Sequence, residues 1–230
     1  MLRKSFLIFL SIFSNYCYSQ IDLTDNKYRE DQIYLGIFYN SLNDTPANFN
    51  QIRLSNTINF GFIRDIPLNK NRNLGLGLGL GFSTSSFHNN LKFSLLNNEF
   101  AAKLILESET YNKNKWTINE LEFPFEFRWR TSTPENYKFW RVYFGLKTSY
   151  IIGSRVKYES ESDKEIIRNL PFNKFQSGLT LNAGNNTWNL GLYYGLNPLF
   201  NDKFAKKHEN LRNLKPVSYT HLTLTTIYTV

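Results

Sequence analysis

From Asn119 the chain reads NELEFPFEFRWR, and its two parities are chemically opposite. Leu121, Phe123, Phe125, Phe127 and Trp129 fall on one, while Glu120, Glu122, Pro124, Glu126, Arg128 and Arg130 fall on the other. Successive strand residues face opposite sides of a sheet, so only a period of two sorts these side chains. A helix would spread the same charges around its whole circumference. From Asn73 the run NLGLGLGLGF repeats the pattern, with Leu74, Leu76, Leu78, Leu80 and Phe82 set against Gly75, Gly77, Gly79 and Gly81. Both runs predict strands with one wholly apolar face and one that is charged or bare.

Weaker runs of the same period recur. Ile33, Leu35, Ile37 and Tyr39 alternate with Tyr34, Gly36, Phe38 and Asn40; Ile58, Phe60 and Phe62 lie in a run from about Arg53 to Ile66. Trp140 to Leu146, Leu179 to Ala183, Trp188 to Leu196 and Leu222 to Val230 complete the set. The reading is all-β, with eight strands and no helix. All 12 glycines lie on the parity opposite the apolar face, as a narrow barrel with a crowded interior requires.

The connections alternate in length. Pro67 to Arg72, Ser132 to Tyr137 and Asn185-Asn186 are short; Asn43 to Ile52, Phe87 to Lys115, Ser154 to Leu170 and Leu199 to Lys215 are long. A soluble sandwich has no reason to sort its loops in this way, whereas outer-membrane barrels have short periplasmic turns and longer outer loops. The expected architecture is an eight-stranded antiparallel up-and-down transmembrane β-barrel over residues 31–230, with four longer outer loops and three short periplasmic turns. Phe123, Phe125, Phe127, Trp129, Trp140 and Trp188 then face lipid and its interfaces. The competing reading is a soluble periplasmic binding barrel, whose apolar face would point inward.

The N-terminus agrees with export. MLRKSFLIFLSIFSNYCYSQ has Arg3 and Lys4, an apolar core from Phe6 to Phe13 and the small residues Cys17 and Ser19 at the −3 and −1 positions of a cut before Gln20. This predicts a cleaved signal peptide over residues 1–19, a periplasmic segment over 20–30 and a final location in the outer membrane. Tyr16 is too bulky for a lipobox at Cys17. The formal charge of +8 falls to +6 once Arg3 and Lys4 leave, and Cys17, the single cysteine, leaves with them. With one Cys and three His, neither a disulfide framework nor a metal cluster is expected, and no cofactor.

LEFPFEFRWRT at Leu121 to Thr131, FGLKTSYIIGSRVKY at Phe144 to Tyr158 and GLYYGLNPLF at Gly191 to Phe200 resemble the small outer-membrane β-barrel proteins of the Bacteroidota, the porin-like or PorT-like group. The resemblance implies an eight-stranded barrel in the outer membrane. It also implies a choice between an accessory of type IX secretion and the many relatives without an assigned role. Near the other end, Pro216 to Leu224 reads PVSYTHLTL, which resembles the translation of a sequencing adapter; Thr225 departs from it. On that reading residues 216–230 replace the native last strand.

Three sets of residues could carry chemistry. Glu120, Glu122, Glu126, Arg128, Arg130, Arg141 and Lys147 share the predicted interior. A hairpin centred on Ser132 to Tyr137 sets Glu122 near Lys147 and Glu126 near Tyr143, so an internal ion-pair network is expected in preference to an acid/base pair. His88 sits near Ser83, Ser85 and Ser86, with Glu99, Glu107 and Glu109 following, and could serve a lipid-A-modifying rim enzyme. A solvated loop histidine is the simpler reading, and His208 is read as a surface residue. The expected function is a non-enzymatic barrel acting as a scaffold or accessory through its outer loops. Its expected partners are outer-membrane lipid and lipopolysaccharide, the barrel-assembly machinery and secretion-system components. Nothing in the chain suggests a nucleic-acid partner.

Overall fold

A computed structural model describes residues 31–51, 53–97, 99–106, 108–131, 140–185, 188–211 and 214–228. The signal-peptide region, Cys17, Glu107 and the turn from Ser132 to Tyr137 lie outside these residues, and so does the side chain of Trp188. Among the described residues there are eleven strands: β1 Asp31–Asn43, β2 Asn56–Pro67, β3 Leu74–His88, β4 Leu91–Leu96, β5 Glu99–Leu104, β6 Lys113–Arg130, β7 Trp140–Glu159, β8 Lys164–Arg168, β9 Phe175–Asn185, β10 Trp188–Gly195 and β11 Lys215–Tyr228.

Eight of them close into a ring. The order β6-β3-β2-β1-β11-β10-β9-β7 is completed by pairing of β6 with β7, and every neighbouring pair is antiparallel. Closure leaves no free edge, which a sheet must achieve if its backbone is to be satisfied in lipid. Among the described residues no helix is long and apolar enough to cross a membrane. Leu35, Phe60, Leu80, Phe123, Phe125, Phe127, Trp129, Trp140 and Phe144 are all exposed on the outer wall, whereas Glu122, Arg128, Arg130 and Arg141 are fully buried inside. That is the reverse of a soluble barrel.

Interior bulk is fitted against glycine. A Cβ at Gly61 or Gly81 would overlap the hydroxyl of Tyr34, one at Gly77 would sit 2.6 Å from Arg128 Nε, and one at Gly178 would strike the Tyr193 ring. The bare parity of the NLGLGLGLGF run therefore makes room for large polar side chains from other strands, which a narrow lumen could not otherwise hold.

The outer end departs from the sequence reading. The Phe87–Lys115 connection is not a loop throughout: β4 and β5 form a separate hairpin there, turning through Asn97 in a left-handed conformation, and β6 already begins at Lys113. β7 runs on to Glu159, and β8 pairs along its upper end. The Leu199–Lys215 connection holds a short helix, α1 (Asp202–Lys207), capped by Asn201 Oδ1, which accepts from Phe204 N at 3.0 Å. Strands of 18 and 20 residues exceed the roughly ten needed for a tilted crossing, so β6 and β7 stand well above the bilayer.

β11 closes the ring between β1 and β10, with a register shift on each ladder that leaves His221 without a Cα partner. Ladder bonds are made by backbone groups alone, so an alternating segment of native or adapter-derived sequence can occupy this place equally well.

Candidate functional site: a sealed charged interior under an aromatic cap

β2 and β6 bring the strongest charges together at the periplasmic end. Arg130 Nη1 and Nη2 donate to Asp65 Oδ1 and Oδ2 at 2.9 and 2.8 Å, a two-pronged guanidinium–carboxylate pair. Arg128 Nη1 adds a bond to Asp65 Oδ1 at 3.3 Å, Nε donates to Glu126 Oε2 at 3.1 Å and Nη2 to Gln32 Oε1 at 3.0 Å. The Arg128 guanidinium also lies 4.6 Å from the centre of the Tyr143 ring. Asp65 N donates to Asp31 Oδ1 at 2.8 Å, and Asp31 is in turn paired with the outward Arg64 at 2.8 Å. Two arginines with side chains at 0% exposure thus share a carboxylate that is itself at 0%.

A second cluster lies midway up. Lys147 Nζ donates to Glu122 Oε1 at 2.7 Å and rests 4.4 Å from the Tyr193 ring; Asn59 Nδ2 donates to Glu122 Oε2 at 3.3 Å. Ser149 Oγ donates to Glu120 Oε1 at 2.8 Å, and Asn182 Nδ2 donates to Glu126 Oε1 at 3.3 Å. Arg141 Nε donates to Asn189 Oδ1 at 2.8 Å, an amide rather than a carboxylate.

The hairpin register differs from the predicted one by two residues. Glu122 stands opposite Ser149, Glu126 opposite Gly145, and Tyr143 opposite Arg128. Lys147 still reaches Glu122, because a four-carbon stem spans the diagonal of an antiparallel ladder. Asp31, Gln32, Asn59 and Asp65 belong to this interior, and the sequence reading did not assign them to it; Tyr34 and Tyr193, on the parity opposite the apolar residues in that reading, join them. Asp65 sat in a run whose parity was read only from Ile58 to Phe62, yet the same period of two continued to it would have placed it inside.

Glu122→Ala removes the carboxylate that accepts from both Lys147 Nζ and Asn59 Nδ2 and leaves Lys147 in a mostly buried site without its paired carboxylate. The expected loss is about 3 kcal/mol, seen as a lower temperature for conversion of the folded to the unfolded band on semi-native gels. An unchanged transition would show that Lys147 is held by its ring contact alone.

Among the described residues two small chambers lie inside. The lower chamber, between Tyr34, Glu126, Tyr143 and Thr180, leaves about 80 Å³ that water can reach, and the upper one, under Phe87 and Leu199, about 40 Å³. Asn59 Oδ1 and Thr180 Oγ1 line the lower chamber without a protein partner, which suits a few trapped waters.

Above the charges the barrel is corked by aromatics. Trp116 and Phe93, both at 0% exposure, meet edge to face at 5.3 Å between ring centres; Phe200 lies 5.3 Å from Phe172 and 5.0 Å from Phe204. Phe87, Leu91, Ile118, Val156, Leu170, Leu199 and Leu214 complete one buried cluster. It joins β4, β6, β7 and the segment around α1. Asparagines satisfy the irregular backbone around it: Asn114 Nδ2 donates to the carbonyls of Asn89 and Leu91 at 2.9 Å each, and Asn90 Nδ2 to that of Asn48 at 2.8 Å. The sequence reading treated these segments as loops, because their apolar residues have no single period.

The rim candidates are dispersed. His88 Nδ1 lies 3.0 Å from the Leu54 carbonyl, and its backbone N–H donates to Ser55 Oγ at 2.9 Å. Ser85 is buried, its Oγ 2.7 Å from Thr57 Oγ1. Glu99 pairs with Lys207 at 2.6 Å and Glu109 with Lys103 at 3.4 Å; the Lys207 ammonium holds the Glu99 carboxyl below its ordinary range. His208 packs on Phe204, 4.4 Å between ring centres.

A family model described as an outer membrane protein beta-barrel domain matches residues 18–201. The chain belongs to this family. It is an outer-membrane protein, and its apolar wall is the surface that meets lipid. The match stops short of α1 and β11. No curated protein matches the chain at a significant level.

Proposed function

We propose that this family member is a non-enzymatic barrel that displays its outer cap as a rigid platform, a scaffold or accessory in the envelope. We further propose that it supports protein secretion in the manner of the PorT-like group of the Bacteroidota, to which its strand motifs are similar. The observation that carries the reading is the double seal. Paired charges fill the lumen at the level of Asp65, Arg128 and Arg130, and an aromatic cluster closes its mouth. Such a molecule has nothing to transport through its centre, so selection acts on its outer surface. His88 speaks for the same reading, since its ring is engaged by the Leu54 carbonyl and the nearby carboxylates are held by lysines of the cap. A cleaved N-terminal signal delivers the chain to the barrel-assembly machinery.

Two experiments test this. In planar bilayers the refolded protein is expected to give no stepwise conductance; resolved steps would overturn the sealed reading. Deletion of the gene is expected to impair surface delivery of secreted proteins, with rescue by the wild-type chain. Normal secretion in the deletion strain would leave the barrel and remove the secretion role.

A further inference from the structure

Above the apolar band, the outer wall of β6, β7 and β8 turns strongly cationic. The outward parity of β6 is apolar from Trp129 to Leu121 and continues through Asn119 and Thr117 to Lys115 and Lys113. The register sets Lys115 directly opposite Lys157 on one side and opposite His88 on the other. Arg155 stands opposite Thr117 and, across the other ladder, opposite Arg168. Arg155 and Arg168 are exposed; Lys115 and Lys157 are half-buried. Beside them, Arg53, His88 and Lys113 edge a groove of about 240 Å³ that water can reach.

The acids nearby do not balance this surface. Glu159 pairs with Lys157 at 2.9 Å, and Glu109, on the groove, pairs with Lys103 at 3.4 Å. Like charges directly opposite on a ladder destabilise it. Two such pairs stacked on one wall mark a place where an anion is shared. Height and direction identify the anion. The Arg155–Thr117 row stands four residues beyond Leu121, about 13 Å of strand, or about 10 Å of height at a barrel tilt of about 40°. That is the headgroup layer, and these side chains point sideways into it rather than up into solvent.

We propose that this wall binds the phosphate groups of outer-leaflet lipid, with Arg155 and Lys115 as the main ligands and Arg168 and Lys157 beside them. Arg offers a planar fork that matches phosphate oxygens, and Lys supplies a point charge. The site anchors the tall side of the barrel, beneath the cap, to the lipid around it. It rests on the outer-membrane location and is independent of the secretion role.

The test uses the full chain refolded into phosphatidylcholine vesicles with or without bisphosphorylated lipid A, read as the thermal unfolding temperature. Lipid A is expected to raise that temperature for wild type, because a ligand that binds only the folded state stabilises it. The Lys115→Gln/Arg155→Gln variant is expected to lose most of the rise while unfolding no lower than wild type in vesicles without lipid A, where it is relieved of two like-charge pairs. Arg168→Gln, a single change on the short flanking strand, should lose part of it. A Lys206→Gln/Lys207→Gln control on α1 should keep it all, and dephosphorylated lipid A should raise neither protein. An equal rise in the double variant, or an equal rise with dephosphorylated lipid, would overturn the proposal.

Discussion

Asp65→Ala is expected to destabilise the barrel by about 3–5 kcal/mol, the largest single-residue effect in the lumen. The substitution deletes the carboxylate that accepts both Arg130 Nη donors at 2.9 and 2.8 Å and one from Arg128 at 3.3 Å. Breaking a buried ion pair costs this much because the remaining charge stays desolvated without compensation, whereas removing both partners together costs far less. Arg128 keeps Glu126 and Gln32, whereas Arg130 loses two bonds to Asp65 and keeps its Nε bond to the Arg72 carbonyl at 2.7 Å. Thermal conversion on semi-native gels should therefore fall steeply for Asp65→Ala and recover for Asp65→Leu/Arg130→Leu. A single variant that melts with wild type would show that Glu126 or the periplasmic rim can serve both arginines.

Trp116→Ala should act on the other half of the molecule. Its side chain is at 0% exposure, touches Phe93, Phe172 and Phe200, and donates through Nε1 to the Leu91 carbonyl at 3.3 Å. Truncating so large a buried aromatic typically costs about 3–5 kcal/mol through lost contacts and the cavity left behind. The cost falls on the cap, whose hairpin β4–β5 pairs with no strand of the ring. The expected result is faster hydrogen exchange and protease cleavage across Leu91–Leu104, with exchange in the ladders below Glu122 unchanged. If the ladders exchange faster as well, cap and barrel fold as one unit. If neither changes, the hairpin is held by its asparagine bonds instead.

The two variants separate the parts of the platform. If surface display is the function, Trp116→Ala impairs it in a barrel that is still inserted. Asp65→Ala impairs it only by reducing the amount of folded protein.

How far each part could be read from the chain depends on the range of the interaction that specifies it. The strands of NELEFPFEFRWR and NLGLGLGLGF were legible because a period of two is a local property, visible within one segment. The closed ring followed from loops that alternate between short and long. The cap was not legible, because Phe93, Trp116, Phe172, Phe200 and Phe204 come from four separate segments and meet only after the barrel has placed their anchors. Asp65 was missed for a related reason. Its strand is weakly patterned, with the charged Arg64 outside and the equally charged Asp65 inside, so composition cannot separate them.

Along the clearly alternating strands the chain by itself determined which residues face lipid and which face the lumen, since the pleat alternates from one residue to the next. It also determined that the lumen holds both signs of charge. Tertiary structure alone decided which charge meets which. Arg130 and Asp65 are 65 residues apart, on strands separated in the ring by β3, and their meeting depends on the accumulated stagger of the ladders. The same stagger sets Lys115 against Lys157 and Arg155 against Arg168, a conflict of charge that no single strand contains.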